Sequence, residues 1–204
     1  MLHPPSAPRL PDAPQGPQWG YQSGLLNVLR LFFNQLHTVL RVLLGPHGGQ
    51  HIDCPNGAFL GTGTQTLAAV GTGYPIEFNQ THLSSAVHVE DNTKIVVEVA
   101  GVYNFQYTGC VQSTDASTKR VLLWFAVNGA PVPYSTHAYT YAGAGTIGVV
   151  EWPFNLALQA GDYVELYWAA DDVAVVLAPE APTAPHPGIP ASVCVVNFVA
   201  PRPS

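Results

Sequence analysis

The sequence predicts a mainly β protein, a sandwich or barrel of about ten short antiparallel strands behind one amphipathic helix and an extended arm. Three observations carry this prediction. The 204 residues include 19 glycines and 19 prolines, against a combined share of roughly 12% in ordinary chains, and that excess favours turns and short strands over helices. One stretch, residues 25–44, has neither residue and carries a helical period. From Gly57 onward, short apolar segments recur between turn signals with no second convincing helical period.

Residues 1–18 hold six prolines and no apolar run, so they can neither build a helix nor bury surface. Residues 1–22 are read as an extended arm. No basic start followed by an apolar core is present, so no secretory signal is expected and the protein is expected to stay where it is made.

Residues 23–45 are read as a helix, with Ser23 as its cap and Gly45-Pro46 as its stop. Arg30, Asn34, Gln35, His37 and Arg41 recur through its middle, where each charge would cost ~2.5–3.5 kcal/mol in a bilayer. A membrane span is therefore not expected. Leu25, Leu29, Phe32, Leu36, Val39 and Leu43 follow alternating steps of four and three, the seam of a heptad repeat. Leu26, Phe33 and Leu40 widen that stripe, and Asn27, Asn34 and Arg41 lie opposite it. The favoured reading is an oligomerisation or docking helix suited to three or more partners; packing on its own domain and lying on a membrane surface are the alternatives. Residues 46–56, beginning PHGGQH, form a Gly-rich joint after the helix, and 57–204 the head.

In the head, residues 102–108 alternate Tyr103, Phe105 and Tyr107 with Asn104, Gln106 and Thr108, so one face is packed. Residues 120–127 are apolar on both faces and end at Asn128-Gly129, a hairpin turn pair. Further strands are expected at 145–152, 162–168 after the Gly161-Asp162 turn, 173–177 and 192–199. Weaker segments lie near 58–60, 65–70, 76–78, 86–89, 94–99 and 136–141. Residues 178–191, with five prolines, are expected to be a loop outside any ladder.

Gly101-Val-Tyr-Asn-Phe105, a buried strand ending in Val127-Asn128-Gly129, the run Leu156 to Leu166 through Gly161-Asp162, and a closing strand after Pro190-Ala-Ser192 form a series. In order and spacing it resembles the tumour necrosis factor-like and complement-type globular jelly roll, over about residues 75–200. The resemblance implies a ten-stranded jelly-roll sandwich, three of which pack edge to face into a trimer. It makes Tyr163 and Tyr167 candidates for the trimer interface, beside the helix seam. A similar module occurs in tailed-bacteriophage virions, in head decoration proteins, fibres and baseplate parts. This sequence lacks the signal peptide and Gly-X-Y stalk of the family's secreted members.

Charge and motifs limit the chemistry. Seven Lys+Arg against 13 Asp+Glu give a net charge of −6, which leaves no basic footprint for nucleic acid. Charged residues make up 10% of the chain against roughly 25% ordinarily, and residues 121–150 hold none. A solvated monomer covers itself with charge, so this deficit points to covered surface. No nucleophile elbow, P-loop, HExxH or dinucleotide fingerprint occurs. His47 and His51, near Asp53 and Cys54, are read as solvated loop residues rather than metal ligands. Asp171-Asp172 and Glu90-Asp91 are read as turn formers, Trp124, Trp152 and Trp168 as core, and Cys54, Cys110 and Cys194 as buried free thiols. No catalytic residue, cofactor or metal is expected.

The function expected is that of a non-enzymatic virion structural protein of a tailed phage, made in the host cytoplasm. Its homotrimers would decorate or cement the capsid through the arm and helix, with other capsid or tail proteins as partners and neither nucleic acid nor membrane among them. The alternative is a fibre or adhesion module that binds a host-surface glycan.

Overall fold

A computed structural model of the chain describes residues 19–44, 54–145 and 147–201, with helix side chains from 22 to 40. The chain divides into two compact units, Met1–Asp53 and Cys54–Ser204. The arm at 1–18, the joint at 46–53 and His47, His51 and Asp53 lie outside the described residues.

In the first unit, α1 spans Trp19–Leu44. It starts four residues earlier than the capping reading placed it, so Ser23 lies inside the helix. Gly20, Ser23 and Gly24 each cost the helix only up to about 1 kcal/mol and block nothing sterically. Leu25, Leu29, Phe32, Leu36 and Val39 are half-buried, whereas Leu26, Leu31 and Phe33 are 60–65% exposed and Leu40 is exposed as well. Leu43 belongs to the helix, but its side chain lies outside the described ones. Among the described residues no helix is long and apolar enough to cross a membrane.

The second unit is all β. Its strands are β1 (Asn56–Gly61), β2 (Gln65–Thr66), β3 (Tyr74–Pro75), β4 (Gln80–Ser85), β5 (Val87–Glu90), β6 (Lys94–Val97) and β7 (Gly101–Ser113). They continue with β8 (Lys119–Val127), β9 (Ala130–Pro131), β10 (His137–Tyr141), β11 (Ile147–Leu158), β12 (Tyr163–Ala170), β13 (Val175–Leu177) and β14 (Ser192–Ala200). In the first sheet β1, β14 and β7 are successive neighbours; β4 extends it beyond β1, and β11 pairs with the other side of β7. In the second, β10, β8, β12, β6 and β5 follow in order. Taken as the eight principal strands in chain order, β1, β6, β7, β8, β10, β11, β12 and β14 cross between the sheets at every step except the β8–β10 hairpin, the pattern of a jelly roll, and every pairing is antiparallel. The fold class read from the sequence holds.

The core lies between the sheets and is built from one side-chain parity of each strand. Tyr103, Phe105, Tyr107 and Val111 of β7 face Val121, Leu123 and Phe125 of β8 and Val164, Leu166 and Trp168 of β12, all 2% exposed or less. The two predicted turns lock onto each other. Asn128 and Gly129 take φ of 50° and 78°, as a primed hairpin turn requires. Asn128 Nδ2 donates to Asp162 Oδ1 at 2.8 Å, and Tyr163 N donates to Asn128 Oδ1 at 3.0 Å.

Three expectations need correction. The segment 145–152 overlaps a strand, Ile147–Leu158, that runs on through Pro153; among the described residues β11 pairs only with β7, and an edge strand tolerates a missing N–H. The Pro-rich loop forms two isolated bridges, Glu180 to Ile189 and Thr183 to His186, because its prolines lie outside those four bridging positions and leave their N–H groups free to pair. Cys54 is exposed, since it precedes β1 instead of lying within it, while Cys110 and Cys194 are buried.

Candidate functional site

Strand parity sorts the outward side chains into two faces. On the first sheet, β1 contributes Asn56, Ala58 and Leu60, and β14 contributes Val193, Val195 and Asn197, because their neighbours Phe59, Cys194 and Val196 are fully buried. From β7 come Val102, Asn104, Gln106 and Thr108, and from β11 Val149, Glu151, Pro153, Asn155 and Ala157. Among the described residues of these four strands, Glu151 is the one charge on that face. A surface meant for water carries roughly a quarter to a third charged residues.

This face ends at an open edge. Among the described residues β10 pairs only with β8 and β11 only with β7, and no described strand closes that side. Aromatic rings fill the gap: His137 stacks on Trp152 at 4.5 Å, Trp152 on Phe154 at 6.1 Å and Phe154 on Phe125 at 5.4 Å. Trp152 Nε1 is shielded from water without a hydrogen-bond partner among the described residues.

The second sheet covers its own outer face. Trp124 lies flat on Tyr167, 5.7 Å between centroids, under the chain at Gly73, where a Cβ would sit 2.5 Å from Trp124 Cζ2. Glu165 is 7% exposed; Thr93 Oγ1 donates to its Oε1 at 3.1 Å and Tyr167 OH to its Oε2 at 3.3 Å. Lys94 lies 5.5 Å above the Tyr163 ring. Burial, and then the charge of Glu165, pushes the Tyr167 hydroxyl pKa up. Tyr163 and Tyr167, the two strand residues expected at an interface, are therefore brought together on this face, both half-buried and both engaged within the chain. Trp168 is core, as read, while Trp124 faces outward under its loop and Trp152 lines the open edge.

The acidic pairs serve turns and one ion cluster. Asp171 Oδ1 accepts from Arg120 N at 2.9 Å and Asp172 Oδ1 from Ala174 N at 2.8 Å. Lys119, 5% exposed, bridges Asp172 and Asp115, the latter at 2.9 Å. Hydrogen bonds from Ser117 and Lys119 hold the Asp115 carboxyl down at about 2, and Lys119 together with the Ala174 N–H lowers Asp172. Asp91 is paired with Lys94 at 2.8 Å. No group of three His, Cys, Asp or Glu among the described residues is placed to hold a metal ion. One groove of about 480 Å³, lined by Leu60, Pro179, Pro187, Ile189 and Pro190 among others, has Glu180 as its single titratable side chain.

The sequence reading found the covered-surface signal in composition but missed the open first-sheet face. The signal was available: phasing each strand by its core residues leaves mostly Asn, Val and Ala on the other parity, with Glu151 the one charge. Comparison with known proteins yields no matching family model and no matching curated protein. Among solved structures the chain is similar to the globular domain of the zebrafish complement 1qA protein, with 18% identity over 73% of this chain and 99% of that chain and a TM-score of 0.49.

Proposed function

We propose that the protein is a non-enzymatic structural subunit that works as a homotrimer, its jelly-roll heads packed edge to face, and that it decorates or cements a tailed-phage capsid through its N-terminal arm and helix. The observation that carries this reading is the outer face of the first sheet, with Glu151 as its one charge. The aromatic edge between β10 and β11 supplies an apolar counterpart, and joining them would remove both from water at roughly 25 cal/mol per Å² of apolar area. A face that meets an edge is a heterologous contact, which closes into a ring when the rotation permits. The exposed Leu26, Leu31, Phe33 and Leu40 of α1 support a second contact, with the particle or between helices along the Leu25–Leu43 seam.

Light scattering on the full chain tests the assembly, and a trimer mass is expected at micromolar concentration. Deleting residues 1–45 tests the anchor: the head should remain a soluble trimer that no longer joins virions assembled in its presence. Normal incorporation of that truncated chain would overturn the docking role.

A further inference from the structure

Four asparagines cross the open face of the first sheet in one row. Asn56 of β1 lies opposite Asn197 of β14, Asn197 opposite Asn104 of β7, and Asn104 opposite Asn155 of β11. All four point outward, since Val196, Phe105, Leu156 and the other-parity residue Phe59 are buried in the core. Asn104 Nδ2 donates to Asn155 Oδ1 at 2.8 Å, and Asn56 Nδ2 to the Cys54 carbonyl at 2.7 Å. Asn56 Oδ1 is shielded from water and has no partner among the described residues. An amide offers two donor hydrogens and two acceptor lone pairs, so these bonds leave much of the row's capacity unused.

The neighbours of the row sharpen its meaning. On one side lie Ala58, Val195, Gln106 and Pro153, and on the other Val102 and Ala157. Asparagine is a poor strand residue, and four in one line bracketed mostly by apolar side chains are not explained by strand formation. Nor do they supply the charge a solvated face would carry. Because each amide both donates and accepts, the row is complementary to an identical row, and two uncharged copies do not repel.

We infer that this amide row sets the register in which copies of the chain meet; the inference rests on the homotrimer reading and assigns its contact line. The apolar positions beside the row hold copies together but permit sliding. The row ends at Asn155 on the edge strand β11, so in a face-to-edge contact the end of one row reaches the row of the next copy in a single register, and a displaced copy or foreign partner leaves buried amides unpaired, as at a single polar position in a coiled coil.

Sedimentation of the full-length protein at pH 7 and pH 4 tests this. Wild type is expected to be one trimer at both. Asn104→Asp/Asn197→Asp places six carboxylates at the contact and should raise the dissociation concentration at least 100-fold at pH 7. Protonation should restore the trimer near pH 4. Asn104→Leu/Asn197→Leu should stay assembled but spread over several sizes, while Glu90→Lys, exposed on β5 at the margin of the second sheet opposite β10, should leave the trimer unchanged. An Asp variant that remains a trimer at pH 7 would place the row outside the contact, as under another partner or the chain's own N-terminal segment, and overturn the inference while the trimer stands. A Leu variant that stays one clean trimer would remove the register role. A monomeric wild type would sink the homotrimer reading itself.

Discussion

On the second sheet, Trp124 is stacked on Tyr167 beneath Gly73, Glu165 is capped by Thr93 and Tyr167, and Lys94 lies over Tyr163. On the first sheet the outward side chains of β1, β14, β7 and β11 are amides and mostly small apolar groups with one carboxylate. Both faces avoid presenting bare apolar surface to water, but by different routes. The second finishes its packing within one chain. The first carries a single charge over four strands, while the uncharged stretch 121–150 falls mainly on β8, β9 and β10 of the second sheet, so low charge marks both sheets and self-covering packing marks only the second. Tyr163 and Tyr167, the contact candidates that the resemblance supplies, lie on the second sheet, whereas the row of outward positions with one charge lies on the first.

The largest test of this contrast places a charge on the open face. Val195→Glu should abolish assembly at micromolar concentration while leaving the circular dichroism of the head intact, because the side chain points away from the core and an unpaired carboxylate buried at a contact costs several kcal/mol. Trp124→Ala should do the reverse, lowering stability by about 2 kcal/mol in urea titration with no change in oligomer mass. Full burial would set that cost nearer 3–5 kcal/mol, and Trp124 is half-buried. A mass change in the tryptophan variant would break the distinction between the faces. Within the core they share, Tyr107 OH is buried without a partner among the described residues, and burial pushes its pKa up. Tyr107→Phe should therefore raise the unfolding free energy by about 1 kcal/mol instead of lowering it.

The smallest effect concerns pH. Asp115 is held below its ordinary value of 3.8, at about 2, so its contribution to stability is present above the ordinary carboxylate range and lost as pH falls from roughly 4 towards 2. Asp115→Asn should flatten that acid limb of the melting-temperature profile. An unchanged limb would mean that Lys119 and Ser117 hold Asp115 no better folded than unfolded.

The alternation of Tyr103, Phe105 and Tyr107 was enough to place β7, and Asn128-Gly129 with Gly161-Asp162 to place two turns, because those signals are local. β4 escaped notice: its residues QTHLSS are almost all exposed and show no alternation. Trp124 and Trp168 read alike in sequence, and only the parity of β8 and β12 separates the outward ring from the core one. The asparagine row was illegible for a stronger reason. Its members come from four strands between positions 56 and 197, and pairing register alone puts them on one line. Strand periodicity reports which way a residue faces, whereas a site that crosses a sheet is written in the long-range pairing of strands.

The ends of the first sheet bear on how a face so poor in charge avoids pairing edge to edge with other chains. β4 is short, polar and exposed along its length, and β11 carries Pro153 in mid-strand. A neutral sheet of valines and amides is the composition from which fibrils grow by strand addition. Here one margin is soluble and the other lacks a donor at its middle, so growth sideways from either is hindered. A sheet face so poor in charge can thus be carried without nucleating an aggregate.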